Sequence, residues 1–346
     1  MKSLRLILLP LSLVYACITW FRNKFFDWGI QKSFEIPGKS ICVGNITVGG
    51  TGKSPFTAYL AAQFAEKNPV ILSRGYGRAT KGLLEANSSS IAEEIGDEPL
   101  MYFNRFRGKV PVVVSEKRSV GVQYIREKYG DSLIILDDAY QHRAVKAGLN
   151  ILLMTYDRPV FRDFPFPAGN LREGRSGMKR ADLVLVTKSP SNLSTAHKQV
   201  FYERIPLSKD KIFFSEIIYG DKKGLFGEVW KNVDEILLVT GIAQPEPLNR
   251  FLSANQRVTT LQFPDHHAFD SADIQRIVQK VATFAGRSCA IVTTEKDAVR
   301  LLPWKAALQQ CGCPCFVQEM TLRFDREQDL IDTLNAYVVR TNERGG

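Results

Sequence analysis

The chain has 346 residues, of which 45% are hydrophobic, and a formal net charge of +10. This composition provides a sizeable core and excludes disorder as the main state, and the length suffices for two domains. The basic balance favours an anionic membrane surface, a phosphorylated substrate or nucleic acid. We rank nucleic acid last and expect none as a partner, because zinc-finger spacing, RNA-recognition signatures and long basic tracts are all missing from the sequence.

An apolar run from Leu6 to Phe21, with Pro10 inside it, lies near the start of the chain. Basic residues flank it on both sides: Lys2, Arg5, Arg22 and Lys24. A bilayer span needs about 20 residues, with about 17 as the lower limit, so the run is marginal. Four interpretations stay open: a spanning helix, an interfacial helix, a cleaved signal peptide, and a buried first helix of a soluble domain. We favour an uncleaved membrane-anchoring helix over residues 1–30, with the body on the cytoplasmic side.

A glycine-rich segment between a predicted strand and a predicted helix is the most informative motif. The strand is predicted at 41–46 and the helix at 55–67. Glycines let backbone N–H groups approach phosphate oxygens, and a helix N-terminus adds partial positive charge. In such loops a lysine reaches the β- and γ-phosphates and a hydroxyl binds Mg²⁺. The candidate phosphate-binding residues are Thr47, Val48, Gly49, Gly50, Thr51, Gly52, Lys53 and Ser54.

Thr47 stands where the general pattern G-x-x-x-x-G-K-[ST] has glycine, and Gly49 and Gly50 are expected to supply the flexibility. The simpler alternative is a tight strand-to-helix turn with a solvated lysine.

Continuous apolar runs alternate with amphipathic segments, which is typical of parallel strands that are buried on both faces and joined by crossover helices. We therefore predict an α/β fold of two α/β/α domains with mainly parallel sheets, the first resembling a P-loop NTPase. The pattern changes at Ile212, where two strands at 212–219 and 227–230 flank a turn at 220–224. The predicted units are a kinase-like domain at 31–211, a two-stranded linker at 212–232 and a smaller α/β domain at 233–346. We also consider that the last helix packs back on the first domain.

Two acidic pairs are candidate functional residues. Asp137 and Asp138 end an apolar strand, as a second Mg²⁺-positioning element of a phosphate-loop enzyme does. The alternative is a strand-end acid pair that faces solvent. Asp97 and Glu98 lie in the segment Gly-Asp-Glu-Pro, which by itself is also ordinary turn and helix-start chemistry.

Histidines and arginines add further candidates. His266 and His267 follow Asp265, and this Asp-His-His segment suits a metal site, a general base or a loop turn. Guanidinium groups suit phosphate, although a charge cluster is usually a solvated face. Arginines lie at the ends of the predicted strands, at Arg74, Arg78, Arg118, Arg143 and Arg172.

Seven motifs appear in order and together resemble the tetraacyldisaccharide 4′-kinase family, the lipid A 4′-kinases of Gram-negative bacteria. They are the 43–55 loop, Ser-Arg-Gly-Tyr-Gly-Arg at 73–78, Gly-Asp-Glu-Pro at 96–99, Asp-Asp-Ala-Tyr-Gln-His-Arg at 137–143, Pro-Ala-Gly-Asn-Leu-Arg-Glu at 167–173, Phe-Pro-Asp-His-His at 263–267 and Thr-Thr-Glu-Lys-Asp at 293–297. The resemblance covers nearly the whole chain from about Ile36. Members usually have Gly-Phe where this chain has Ala139 and Tyr140, and Ser or Thr at the position of Thr47.

The resemblance implies transfer of the γ-phosphate of ATP to the 4′-hydroxyl of a tetraacyl glucosamine disaccharide 1-phosphate, which gives lipid IVA. It implies ATP and Mg²⁺ as cofactors, the cytoplasmic face of the bacterial inner membrane as location, and its anionic surface as a partner. No obligate protein partner is evident. A P-loop ATPase or switch without lipid kinase activity is the alternative enzyme, and a nonenzymatic tether is the third hypothesis.

The resemblance also implies roles for individual residues. Asp97 is the expected catalytic base, assisted by His266 rather than His267. Lys53 is the expected catalytic cation that binds the phosphates. Expected metal positions are Ser54, Asp137, Asp138 and Glu98. Expected substrate positions are Arg74, Tyr76, Arg118, Gln141, His142, Arg172 and Glu173.

Overall fold

The computed structural model describes residues 5–284 and 286–340. Lys2 and the rest of 1–4, together with 285 and 341–346 of the predicted second domain, lie outside the described residues. The helices are α1 (Leu9–Asp27), α2 (Lys53–Gln63), α3 (Ala92–Ile95), α4 (Asp97–Arg105), α5 (Arg118–Tyr129), α6 (Thr195–Arg204), α7 (Glu246–Leu252), α8 (Ser271–Ala282), α9 (Glu295–Leu301), α10 (Lys305–Gln310) and α11 (Glu327–Arg340). The strands are β1 (Phe34–Glu35), β2 (Ser40–Gly44), β3 (Val70–Ser73), β4 (Leu84–Glu85), β5 (Val112–Val114), β6 (Ile134–Asp137), β7 (Val145–Lys146), β8 (Leu149–Thr155), β9 (Leu183–Thr187), β10 (Ile212–Gly224), β11 (Glu235–Thr240), β12 (Arg257–Gln262), β13 (Cys289–Thr294) and β14 (Cys315–Phe324).

Twelve of the described strands form one sheet in the order β12-β11-β13-β14-β10-β9-β8-β2-β6-β3-β5-β4, and β1 and β7 form a separate pair. All pairings in the large sheet are parallel except β10 with β14 and β4 with β5. The predicted α/β class with mainly parallel strands is therefore confirmed. The chain moves outward from β2 in both directions, so the end of β2 is a switch point, where open parallel sheets bind ligands.

The central strands are buried on both faces, which explains their continuous apolar sequence. In β2, Ile41 and Val43 contribute to the core on one face, and Cys42 contributes to the core on the other. Alternate side chains of a strand point to opposite faces, so a strand inside such a sheet must be apolar throughout. Because the strands are buried along their length, the polar residues that follow them lie at the edge of the sheet where the carboxyl ends of the strands meet. We call this edge the rim.

The prediction of a second hairpin strand at 227–230 is wrong. Strand β10 continues through the predicted turn to Gly224, with a register shift between Tyr219 and Lys222, and residues 227–230 form no strand. Its antiparallel partner is β14, which lies about 100 residues later in the chain and pairs from Ser215 onward. The two strands of the connection are thus β10 and β14. Pairing with β14 keeps residues 220–224 extended.

Helix α11 returns to the first half of the sheet. Leu330, Leu334 and Val338 recur every four residues and lie in the same hydrophobic core as Ile41. The Tyr337 hydroxyl donates a hydrogen bond to the Ser40 carbonyl oxygen at 3.0 Å. A Cβ at Gly148 would lie 1.8 Å from that hydroxyl, so only glycine leaves room for this docking.

Helix α1 lies against the body by its polar side. Ser12, Tyr15, Thr19 and Asn23 recur at spacings of three or four residues, which places them on one helix face. The Ser12 hydroxyl accepts a hydrogen bond from the Ala168 N–H at 2.9 Å, and the Tyr15 hydroxyl donates to the Arg172 carbonyl at 2.9 Å. The opposite faces expose apolar side chains, including Leu11, Leu13, Val14, Ile18, Trp20 and Phe21. The segment Leu6–Asp27 is long and apolar enough to cross a membrane by length and composition, and little of it is buried.

Candidate active site

The glycine-rich loop connects β2 to α2 at the switch point of the sheet. Gly49 and Gly52 have φ angles of 98° and 84°, in the left-handed region that favours glycine, and Gly52 directly precedes the helix. The Asn45 amide donates a hydrogen bond to the Thr51 hydroxyl at 2.8 Å, and the Thr187 hydroxyl donates to the Thr51 carbonyl at 2.8 Å. The loop that leads into the N-terminus of α2 is thus held by Asn45, just after β2, and by Thr187 of β9, an arrangement suited to an anion.

Lys53 is positioned by a carboxylate at the end of the neighbouring strand. Its ammonium lies 3.6 Å from Asp138 Oδ1, and Arg172 Nη1 lies 3.9 Å from Asp138 Oδ2. The Lys53 side chain is only 11% exposed, and Asp138 has a left-handed φ of 47°. Asp138 therefore holds two cations at the mouth of the loop.

Asp137 is a buried carboxyl group and Glu98 is half-buried, and their pKa values are shifted in opposite directions. Burial, reinforced by the negative charges of Glu98 and Asp138, raises the pKa of Asp137 to about 7. Burial also opposes ionisation of Glu98, but the Lys296 ammonium, 2.6 Å from Glu98 Oε1, outweighs it and lowers the pKa of Glu98 to about 2. The Ser54 hydroxyl donates to the same Glu98 oxygen at 2.8 Å.

These groups fit a magnesium ion that is shared with a nucleotide. Within 5–284 and 286–340, no cluster of three or more His, Cys, Asp or Glu side chains is arranged to hold a metal by itself. Mg²⁺ in nucleotide enzymes uses one or two carboxylates together with waters and substrate phosphates. The Thr57 and Ser73 hydroxyls lie 3.3 and 3.4 Å from the Asp137 carboxyl oxygens, so the hydrogen bonds to this buried group are long.

The two halves of the molecule, residues 31–211 and 233–346, meet at Asp97, which begins α4. Asp97 Oδ2 lies 3.1 Å from His266 Nδ1 and accepts a hydrogen bond from Arg300 at 2.7 Å. Burial by itself raises the pKa of Asp97, but the hydrogen bonds to His266 and Arg300 outweigh it and hold the pKa below the usual carboxyl range. Asp97 is thus an ionised carboxylate in contact with a histidine, an arrangement that can accept a proton.

The two adjacent histidines have different surroundings. His266, with a φ of 59°, faces Asp97, and its ring lies edge-on to the Tyr76 ring with centroids 5.9 Å apart. His267 instead has its Nε2 2.6 Å from Asp273 Oδ2 and stacks on Phe263. Of the pair, His266 contacts the predicted base.

Five of the predicted substrate positions lie on the accessible part of the rim. Arg74 and Tyr76 are exposed, and Arg172 donates to the Gln141 side chain at 3.3 Å. His142 is half-buried, and burial together with the positive charges of Arg118, Arg74 and Arg22 lowers its pKa. The rim can therefore meet an anionic ligand with several cations.

Arg118 and Glu173, in contrast, do not face a ligand space in this structure. Arg118 is 2% exposed and donates to the carbonyl oxygens of Ser115 and Asp137 at the ends of two strands. Glu173 is fully buried and accepts hydrogen bonds from Asn23 of α1 and Arg180. The contacts observed for both side chains are therefore with other groups of the protein that lie below the rim.

Two of the other rim arginines are also engaged internally. Arg78 pairs with Glu116 at 2.6 Å, and Arg143 pairs with Asp27 of α1 at 2.8 Å. A cavity of about 230 Å³ is lined by Arg143, Cys42 and Tyr140 and contains no residue of the glycine-rich loop. Cavity size alone therefore does not identify the site, whereas the loop and its charged neighbours do.

Sequence reasoning missed Lys296 and Arg300. Both lie on α9, four residues apart and hence on one helix face, and they bind Glu98 and Asp97. In the sequence, the segment 293–297 is distinctive only as part of a family pattern. The available signal was a pair of cations in the helix that directly follows β13, since ligands of parallel sheets bind beyond the carboxyl ends of the strands.

Comparisons with known proteins show which family this chain resembles. The family model described as LpxK, tetraacyldisaccharide-1-P 4′-kinase, matches residues 4–339. Relatives named tetraacyldisaccharide 4′-kinase are 38% identical in Cytophaga hutchinsonii and 43% identical in Flavobacterium johnsoniae. These alignments cover 98% and 89% of this chain and 97% and 91% of the relatives. The crystal structure of an "apo" form of LpxK from Aquifex aeolicus in complex with ATP is 29% identical, with a TM-score of 0.75 over 97% of this chain and 99% of that one.

Proposed function

The chain belongs to the tetraacyldisaccharide-1-P 4′-kinase family, and from that premise we propose that it transfers the γ-phosphate of ATP to the 4′-hydroxyl of a tetraacyl glucosamine disaccharide 1-phosphate. The product is lipid IVA, in lipid A biosynthesis. The observation that carries the proposal is the contact between Asp97 of the first half and His266 of the second, beside the loop that contains Lys53. We keep residues 31–211, 212–232 and 233–346 as the proposed units of the chain.

The ATP phosphates bind to the backbone of the loop from Thr47 to Ser54 and to the side chain of Lys53. The Lys53 ammonium supplies positive charge where negative charge accumulates during transfer. Ser54, Glu98 and a carboxylate of Asp137 or Asp138 would hold the magnesium ion. When bound, the ion would neutralise negative charge on the phosphates.

Asp97 accepts the proton of the sugar hydroxyl as that oxygen attacks phosphorus. Its lowered pKa keeps it ionised and therefore able to take a proton, and the contact with His266 provides a partner that shares the proton. Arg300 is a positioning residue, since its hydrogen bonds to Asp97 and Asp297 fix the carboxylate relative to the second half of the chain.

Arg74, Tyr76, Gln141, His142 and Arg172 form the proposed surface for the lipid headgroup. Support comes from their accessible position on the rim and from the excess of cations there, which suits a sugar phosphate. Arg118 and Glu173 act from below this surface through Asp137 and α1.

The direct test is phosphate transfer from ATP with and without the disaccharide lipid. Label from the γ-phosphate should enter the lipid, with little ATP hydrolysis when the lipid is omitted. ATP hydrolysis that is independent of the lipid, without a phosphorylated lipid product, would favour the alternative of a nucleotide-driven switch.

Changing the partner of Asp97 should alter the pH dependence of the reaction. Arg300 lowers the pKa of Asp97, so the variant Arg300→Met makes protonation easier, and a protonated Asp97 cannot accept the substrate proton. We expect the acid limb of the kcat/KM profile to move upward by about 1 to 3 pH units, with activity retained at high pH. Lys280→Met, which replaces a half-buried lysine of α8, is the control. A uniform loss at every pH would contradict this positioning role.

We place the protein at the cytoplasmic face of the bacterial inner membrane, with α1 lying in the interface. Its polar face is occupied by the body along much of its length, which leaves the apolar faces for lipid. The net charge of +10 suits an anionic surface. Retention of α1 is supported by its contacts with residues 167–173, since cleavage would expose the polar groups that it covers.

Charged residues on the exposed face of α1 should release the protein from lipid. Ile18 and Phe21 are 63% and 53% exposed. The double variant Ile18→Asp/Phe21→Asp should weaken binding to anionic vesicles by about 100-fold, measured by sedimentation, because two large apolar side chains are lost from the lipid contact. The matched control is Val229→Asp, an apolar residue that is 81% exposed but distant in sequence from α1. Equal loss in both proteins would contradict an anchor formed by α1.

A further inference from the structure

One oxygen of Glu98 accepts two donors from different halves of the molecule. Ser54 Oγ, on the first turn of α2, lies 2.8 Å from Glu98 Oε1, and Lys296 Nζ, on the first turn of α9, lies 2.6 Å from the same atom. Ser54 and Glu98 are two of the groups that would hold the metal of the proposed reaction. The lysine ammonium therefore lies where a positive ion shared by Ser54 and Glu98 belongs.

An ammonium and a divalent ion that both bound this oxygen would repel each other strongly. Magnesium binds carboxylate oxygens at about 2.1 Å, so the two positive charges would lie within a few ångströms of each other in a poorly solvated region. The Lys296 side chain is 26% exposed and that of Glu98 is 20% exposed, so solvent screening is limited. Binding of one cation should weaken binding of the other.

Lys296 has another negative group available when it leaves Glu98. Burial disfavours its charged form, but Glu98, with further contributions from Asp265 and Asp137, outweighs burial and raises the pKa of Lys296. Asp265 lies in the same segment as His266. The negative charge of Asp265 therefore favours the charged form of Lys296 from within the second half of the chain.

The two halves keep other contacts when the Lys296–Glu98 pair breaks. Arg105 pairs with Glu295 at 2.9 Å, and Asp97 contacts both Arg300 and His266. Displacement of Lys296 thus changes one link in a set of neighbouring links between α4 and the second half. This leaves Arg105 as a matched control, an ion pair between α4 and α9 that touches none of the proposed metal groups.

Resting on the proposed function, we propose that Lys296 is a positioning residue that holds Glu98 in the metal-free protein and is displaced when the divalent cation binds. The protein itself thus provides a competing cation at the metal site, delivered by the second half of the chain. Metal binding and the docking of the two halves are coupled through this exchange.

The test measures affinity for Mn²⁺ by electron paramagnetic resonance, with Mn²⁺ alone and with a non-hydrolysable ATP analogue. Full-length wild type is compared with Lys296→Met, which keeps the aliphatic stem without the charge, and with Lys296→Arg and Arg105→Met. We expect Lys296→Met to bind Mn²⁺ at least about tenfold more tightly, since the competing cation is gone. Lys296→Arg and Arg105→Met should bind like wild type. Tighter binding is a result that a merely structural lysine does not produce.

Unchanged or weaker Mn²⁺ binding by folded Lys296→Met overturns the proposal. No Mn²⁺ binding by wild type, even with the nucleotide analogue, would instead contradict the proposed metal site itself, so the two failures are distinguishable. If Lys296→Met does not fold, the wild-type protein is labelled with an amine-reactive ester, and Lys296 is quantified by mass spectrometry. Increased labelling with Mn²⁺ supports displacement, and unchanged labelling overturns it.

Discussion

Replacing Asp97 with Asn should lower kcat by about 10²- to 10⁴-fold, the range that a positioned proton acceptor contributes. The amide has nearly the same size but cannot take the proton of the attacking hydroxyl. Arg300 keeps its 3.2 Å contact with Asp297, so the junction between the halves should remain docked. Initial rates of lipid phosphorylation measure the loss, and a separate titration with a nucleotide analogue should give an affinity close to that of wild type.

The matched control for this substitution is Asp273→Asn. Asp273 contacts the other histidine, His267, at 2.6 Å, in a capping arrangement at the start of α8. This change can lower stability but leaves the proposed chemistry intact, so kcat should stay near wild type in the folded protein. Full turnover by Asp97→Asn would remove Asp97 from the role of base.

Replacing Lys53 with Met should lower kcat/KM for ATP by about 10²- to 10³-fold, as the loss of one preorganised charge-stabilising donor does in other enzymes. The side chain is largely buried at the mouth of the loop, where its ammonium lies 3.6 Å from Asp138. Methionine preserves the stem and therefore the packing of α2. Steady-state kinetics at varied ATP, together with nucleotide binding by calorimetry, separates weaker binding from slower transfer.

Lys39 offers a control just before β2, the strand whose other end leads into the glycine-rich loop. Its side chain is 10% exposed, nearly the same as that of Lys53, and it lies 3.9 Å from Asp131 just before β2. Lys39→Met thus removes an equally buried ammonium far from the rim where the strand ends. Comparable loss of activity in both variants would assign the Lys53 effect to stability rather than to phosphate binding.

Sequence predicts the phosphate loop and its neighbouring carboxylates because local order determines them. A strand that is apolar throughout must be buried on both faces, and the polar residues that follow it must lie at the carboxyl edge of the sheet. This reasoning brings the 47–54 loop, Asp137 and Asp138 to one rim without any knowledge of distant contacts. The fold class follows from the same alternation of apolar runs and helices.

Contacts between the halves could not be predicted in this way. Arg300 and Asp97 are 203 residues apart, and no spacing in the sequence relates them. The hairpin predicted after Ile212 failed for the same reason, since a turn-like segment becomes a strand when β14 supplies a partner. Arg118 and Glu173 are buried, and their place in a motif does not reveal which side of the rim their side chains face.

Helix α1 is fastened to residues 167–173, and this same stretch supports the nucleotide loop through a hydrogen bond from the Val48 N–H to the Asn170 carbonyl at 2.8 Å. With α1 resting in the leaflet as proposed, the catalytic opening has a fixed height and tilt above the acyl chains. A lipid then arrives by lateral diffusion and need not be extracted into water. Turnover should consequently depend on the mole fraction of acceptor within the bilayer, and diluting it with inert phospholipid should slow the enzyme even when the total amount of acceptor is constant.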